Sequence, residues 1–303
     1  MVGICKKILI TGYSGFVGQN LIQYLQKYPI QKLSLRYEAN QAIAIENTEA
    51  IIHLSGKAHD LKKVSQPQDY YDANFELTKQ LYDAFLKSDA KKFIFISSVK
   101  AVADSVTEVL TEDTIANPQT HYGKSKLMAE EYIQVQTLPK GKSYYILRPC
   151  MIHGPGNKGN LNLLYQFVKK RIPYPLAAFE NQRSFLSIDN LCFVLQEILQ
   201  RNDIIHGAYQ IADDEVLSTN ELIKLIGEAS GHKPALWSVN RKLIRSMAKL
   251  GDILRLPLNS ERLKKLTESY IVENSKLKKA LGRDFPVSAK EGILKTIRSF
   301  NQK

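Results

Sequence analysis

Residues 7–18 limit the possible folds more than any other stretch. An apolar run, Ile8-Leu9-Ile10, leads through Thr11 to glycines at Gly12, Gly15 and Gly18, and a helical pattern follows to about Tyr28. A strand that turns tightly at Gly12 and continues as a helix gathers free backbone N–H groups and the positive end of the helix dipole at one point, which suits a pyrophosphate. Gly15 leaves no side chain where the pyrophosphate must approach, and Gly18 lets the helix pack closely on the strand. The spacing is GxxGxxG rather than GxGxxG, and a plain strand-to-helix turn also uses such glycines. The position after a strand pattern and before a helical one selects dinucleotide binding.

Further along, Lys32–Leu35 reads as a second strand ending at Arg36, where a dinucleotide site usually carries an acidic residue for the ribose. A guanidinium there accepts a 2′-phosphate and favours NADP(H); its alternatives are stacking on adenine or pointing to solvent. Tyr37–Glu49 is short for a strand and a helix, so Gln41–Ile45 is expected as an abbreviated strand. Strand signal resumes at Ala50–Leu54, with His53 expected as a packed core residue. Gly56 beyond it suits a backbone passing under the cofactor. Tyr70–Lys87 is helical in period. Lys92–Ile96 is the short apolar run of a parallel strand covered on both faces, and Tyr144–Leu147 is another strand.

Beyond Met151 the pattern changes. Helices are expected at Leu161–Lys170, Leu191–Gln200 and, capped by Ser218 or Thr219, up to Ala229; short strands are expected at Phe185–Ile188 and Tyr209–Ala212. The expected fold is α/β, a Rossmann-type doubly wound parallel sheet with a smaller mixed α/β substrate lobe. Residues 1–150 plus 185–212 would form the first and residues 151–184 plus 213–303 the second.

No apolar run is long enough for a signal peptide or a membrane span. Three scattered cysteines, Cys5, Cys150 and Cys192, suit reduced thiols, a cytoplasmic location and no metal site. The net charge of +12 is concentrated in the last third without the aromatic interleaving of a nucleic-acid module, so no nucleic-acid partner is expected. A solvated basic surface, or steering of an anionic substrate, accounts for it. The basic amphipathic segment Lys242–Arg255 reads as a helix packed in the second lobe; its alternative is a membrane-surface role, and no stable membrane insertion is expected.

The chemistry centres on Tyr122-Gly-Lys-Ser-Lys126, where Tyr and Lys stand at i and i+4 and share a helix face. A nearby ammonium and a cationic nicotinamide would favour the phenolate and lower a tyrosine pKa from its usual value near 10. Ser98, at the end of the Lys92–Ile96 strand, is placed to hold the substrate oxygen and share its proton with Tyr122.

These motifs resemble the extended short-chain dehydrogenase/reductases of the nucleotide-sugar epimerase/dehydratase family over nearly the whole length. The resemblance also covers His53-Leu-Ser-Gly56, Asn74, Arg148-Pro149, Gly154-Pro-Gly156 and Arg183-Ser-Phe-Leu-Ser-Ile-Asp189. It implies that Tyr122 is the acid/base, Lys126 its partner and ribose ligand, and Ser98 the second hydroxyl, also in contact with substrate. Gly12, Ser14, Gly15, Phe16, Val17 and Gly18 would surround an NAD or NADP. Arg36, Leu54, Ser55, Gly56 and Asn74 would complete that site. Arg183 would hold the substrate diphosphate, with Asn160 near the nucleotide and Arg262 as a weaker diphosphate ligand.

Within the family, Ser97–Lys100, Asn157–Asn160 and Asn181–Ser184 look most like a bacterial polysaccharide subgroup. The resemblance therefore implies C4 epimerisation of a UDP-hexose or UDP-N-acetylhexosamine, in surface polysaccharide synthesis. The alternative is an NADPH-dependent 4-keto-sugar nucleotide reductase. A non-catalytic nicotinamide-binding sensor or scaffold is a third reading, against which both Tyr122 and Lys126 are retained. A 4,6-dehydratase is not expected, because Val99-Lys100 stands where that subtype carries Asp-Glu. A homodimer would pair helices that include the Tyr122 helix, through the Leu77–Phe85 and Leu127–Ile133 faces.

Overall fold

The computed structural model describes residues 7–39, 41–58, 66–157, 159–254 and 259–301; Cys5 and the side chain of Asn160 lie outside what is described. Eight strands occur among these residues: β1 (Lys7–Thr11), β2 (Ile30–Leu33), β3 (Thr48–His53), β4 (Lys92–Ile96), β5 (Ser143–Pro149), β6 (Met151–His153), β7 (Phe185–Ser187) and β8 (Gly207–Ile211). Six form one wholly parallel sheet in the order β2-β1-β3-β4-β5-β8, while β6 and β7 pair by themselves.

The near-continuous apolar strands are explained by two cores, one on each face. Alternate residues Ile8, Ile10, Ile52, Ile94, Tyr145 and Leu147 enter the first core. Their neighbours Leu9, Ile51, Phe93, Phe95 and Ile146 enter the second. Helix α1 (Phe16–Tyr24) lies on the first face. Helices α2 (Pro67–Tyr71), α3 (Leu77–Lys87) and α4 (His121–Val135) follow in the chain, and Leu81, Phe85, Ala129 and Ile133 of α3 and α4 fill the second. α5 (Asn160–Lys169), α6 (Ile188–Gln200), α7 (Thr219–Ala229), α8 (Arg241–Leu254), α9 (Ser260–Thr267), α10 (Ser275–Leu281) and α11 (Ala289–Asn301) complete the described chain. α6 joins the first face, with Leu191, Val194 and Leu195 in that core. A third core is built from α5, α7, α8, α9 and α11.

Several expectations need correction. Helix α1 stops at Tyr24, capped at Leu25, and Tyr28, held out of helical conformation by Pro29, makes a turn onto Leu25. β2 then begins two residues earlier than expected, pairing Ile30 with Ile8 and Leu33 with Thr11. Gln41–Ile45 forms no strand. Its alternating half-buried side chains, including Ile43 and Ile45, pack on the second core without ladder hydrogen bonds, and β2 is therefore the sheet's edge. Phe185–Ser187 does not return to the main sheet: it pairs with β6, and from residues 185–212 only β8 joins as an edge strand. On the faces named for pairing two copies, Leu77, Leu81, Phe85 and Ile133 are buried within the chain, while Met128 is exposed.

The direction of winding reverses at β1, which lies between β2 and β3. A crevice at the C-terminal ends of β1 and β3 is where open parallel sheets of this kind bind ligands.

Candidate active site

Gly12 follows β1 at φ +66°, a conformation costly for any residue with a Cβ, and a Cβ there would lie 2.7 Å from the backbone of Leu54 and Ser55. A Cβ on Gly18 would meet the Gly12 carbonyl oxygen at 2.5 Å, so both glycines fit one close crossing of strand, turn and helix. Gly15 caps α1 with no side-chain hydrogen bond, and no acidic residue stands in the first turn. The helix N-terminus is therefore uncovered and electropositive, which fits the pyrophosphate of a dinucleotide. Phe16 packs towards the 154–156 loop and Val17 on the core, while exposed Ser14 uses its carbonyl for Gln19. Arg36 is exposed beyond the end of β2. Gly12→Ala is expected to destabilise the protein by more than about 1 kcal/mol, because it adds strain and a backbone clash. Urea titration of the variant checks this, and an unchanged midpoint would mean that the turn relaxes freely.

His53 behaves as a core residue. It is fully buried, bonds Thr11 at 2.7 Å and Thr78 at 3.0 Å, and burial depresses its pKa to about 3, so the ring is neutral. Asn74 sits in a π-helical turn, Asp72–Glu76, between α2 and α3. Its amide nitrogen donates to Lys57 O and Ser125 Oγ, and its oxygen accepts from Lys57 N. With those bonds made, Asn74 fastens the Leu54–Lys57 loop to α4. Wide turns of this type often occur at functional sites.

Helix α4 starts at a Thr120 N-cap and carries Tyr122 and Lys126 on the face turned to β4. Lys126 is buried; its ammonium donates to Ile96 O at 2.9 Å and lies 4.6 Å from the centre of the Phe95 ring. Burial lowers its pKa to about 8, with Glu130 pulling the other way. A Cβ on Gly56 would stand 3.1 Å from that ammonium, so Lys126 reaches the crevice beside the glycine loop. Tyr122 is hydrogen-bonded to Ser98, which also accepts from Lys100 N at the start of a 3-10 turn, Val99–Ala101.

Burial raises the Tyr122 pKa, Glu130 adds to the rise, and the Ser98 hydrogen bond opposes them. The lowering expected from the sequence rests on a bound cationic nicotinamide as well.

Sequence reasoning missed Glu130. It is buried one turn beyond Lys126, accepts a short hydrogen bond from Ser97 Oγ, and takes Arg148 Nε and Nη2 at 2.9 and 2.6 Å. Its signal was legible, since Tyr122, Lys126 and Glu130 recur every fourth residue on one helix face. This network ties β4, α4 and β5 together directly behind the hydroxyl pair.

The cations expected to meet the substrate diphosphate are partly engaged within the protein. Arg183 donates Nε to Glu268 O at 3.1 Å and makes a short bond to Lys265 O at the end of α9. Lys100 lies 4.2 Å from the centre of the Tyr270 ring, and burial lowers its pKa, with the charge of Arg183 adding to the effect. Arg262 is on the exposed side of α9, and Asn160 is the first residue of α5.

Residues 8–212 match the family described as NAD dependent epimerase/dehydratase. A UDP-glucose 4-epimerase from Vibrio cholerae is 28% identical, covering 98% of this chain and 96% of that protein. An N-acetyl-alpha-D-glucosaminyl-diphospho-ditrans,octacis-undecaprenol 4-epimerase from Escherichia coli O157:H7 is also 28% identical, over 75% of this chain and 73% of its own length. Among solved structures, a UDP-N-acetylglucosamine 4-epimerase from Bacillus cereus superposes with a TM-score of 0.74 at 20% identity. That match covers 98% of this chain and 100% of the other, and it shows a shared fold.

Proposed function

The chain belongs to the NAD dependent epimerase/dehydratase family, and from that premise we propose that it is a C4 epimerase of a UDP-hexose or UDP-N-acetylhexosamine. The observation that carries the reading is the hydrogen-bonded Ser98–Tyr122 pair beside the buried ammonium of Lys126. The two relatives named as 4-epimerases support the same position on the sugar.

The nicotinamide cofactor, when bound, supplies the hydride acceptor and donor. The protein's own part is to position the sugar and move a proton. Ser98 and Tyr122 hold the sugar O4. In the oxidative half of epimerisation Tyr122 accepts the O4 proton as a phenolate, and the phenol so formed returns that proton to the 4-keto oxygen, a step that ketone reduction shares. Lys126 sets the charge beside the phenol. Arg183, with Lys100 nearby, binds the diphosphate, whose charge offsets their mutual repulsion and orients the reacting carbon.

Exposed Arg36 favours a second reading, reduction of a 4-keto-sugar nucleotide with NADPH, because it suits a 2′-phosphate. The deciding experiment denatures the purified protein and identifies the released nicotinamide. UDP-glucose and UDP-N-acetylglucosamine are then offered to the native protein without added cofactor. Near-stoichiometric NAD with formation of the C4 epimer is the expected result. An empty protein that binds NADPH well above NADH and forms no epimer overturns it in favour of the reductase.

A further inference from the structure

Helix α8 carries a surface that neither the fold nor the candidate active site uses. Its inner row, Ile244, Ala248 and Gly251, is buried, with Ile244 and Ala248 in the third core. Of the fifteen large apolar side chains exposed among the described residues, five lie on this one helix. Leu243, Met247, Leu250, Ile253 and Leu254 are 51–77% exposed. Four of them, at 243, 247, 250 and 254, have the spacing of a single strip along a helix. Lys242, Arg245 and Lys249 form a second strip on the other side of the helix's exposed arc, and all three are exposed, with Arg245 lying over the Phe179 ring. The helix has one acidic residue, Asp252, whose carboxylate is taken by Ser260 N and Oγ at 3.0 and 2.6 Å. On the cationic side a cavity of about 280 Å³ opens between α8 and α9, lined by Phe179, Arg245, Lys249, Leu263 and Lys264 among others.

An exposed apolar strip of this length marks a contact with something other than water. The row of cations beside it identifies what that is. A second copy packed antiparallel on this face would bring Lys242, Arg245 and Lys249 towards their own counterparts, so the apolar gain would be opposed by like charges. An anionic bilayer answers both strips at once: leucines enter the headgroup boundary while lysines and arginine stay at phosphate level. We propose that α8 docks this protein, lying in the plane of the interface, on a bilayer surface containing anionic phospholipid. No helix among the described residues is long and apolar enough to cross a membrane, so the association is peripheral. The proposal does not depend on the reaction catalysed.

The test is sedimentation of the full chain with vesicles of phosphatidylcholine containing one-third phosphatidylglycerol, against vesicles of phosphatidylcholine alone. The protein is expected to sediment with the anionic vesicles and to stay in solution with the neutral ones. Replacing two cations, Lys242→Gln with Lys249→Gln, is expected to weaken anionic binding roughly thirtyfold, the loss of two surface attractions. Leu243→Asn with Leu250→Asn keeps the charge and is expected to abolish sedimentation, which separates docking from mere basic adhesion. All four side chains are exposed, and thermal melting of the variants verifies that they fold. Equal partition to neutral vesicles, or undiminished binding by the leucine pair variant, overturns the proposal. So does a dimer, seen by light scattering, that the leucine pair variant dissociates while the parent ignores both kinds of vesicle.

Discussion

Tyr122→Phe is expected to lower turnover roughly 10²–10⁴-fold, the usual contribution of a positioned proton carrier. The ring remains, so packing around α4 is preserved; what is lost is the phenolic oxygen and its hydrogen bond to Ser98. Removing that single bond changes stability by only about 1 kcal/mol, which leaves a folded protein in which to measure rates. On the proposed assignment the dinucleotide is held by the Gly12–Gly18 turn and the open end of α1, so its binding is expected to survive. Initial rates of sugar-nucleotide interconversion, with bound cofactor quantified in the same preparation, check both halves. Turnover equal to that of the parent would remove Tyr122 from the chemistry. Loss of cofactor together with activity would mean that the substitution damaged the crevice rather than proton transfer. Ser98→Ala is a useful companion, because the tyrosine then keeps its oxygen but loses the one influence that lowers its pKa.

The parts legible in the sequence are those fixed by short-range stereochemistry. The 92–96 strand was expected to the residue, because a strand buried on both faces leaves a continuous apolar run with sharp polar ends. The turn at Gly12 and the Tyr122–Lys126 helix were legible because each needs particular residues at particular spacings. Partnership across the chain was not. Nothing local says that Phe185–Ser187 pairs with Met151–His153 rather than with the main sheet, since three residues in a strand carry no register signal strong enough to choose. Gln41–Ile45 has the alternation of a strand but lacks a ladder partner, so periodicity alone misleads there. Likewise Arg183 reads as a free cation until the C-terminal carbonyls of α9 are seen around its guanidinium. Burial also raises the Tyr122 pKa, an effect that motif spacing does not carry.

Glu130→Ala is expected to cost about 3–5 kcal/mol of folding stability, because it strips the buried guanidinium of Arg148 of its counter-charge. Ser97 Oγ loses its acceptor at the same time. Urea denaturation measures the loss, and the double variant Glu130→Leu with Arg148→Met should recover much of it, since well-packed apolar groups can replace a buried ion pair. A double variant no more stable than the single one would show that packing, not the stranded charge, carries the effect. The carboxylate also acts forward on the active site. Its charge supports the protonated form of Lys126, whose pKa is about 8 with Glu130 in place. Removing it lowers that value further, so deprotonation of Lys126 begins at lower pH. Any alkaline fall in activity that follows Lys126 is therefore expected to move to lower pH in the stabilised double variant. A role confined to holding β4, α4 and β5 together would change stability and leave that limb where it was.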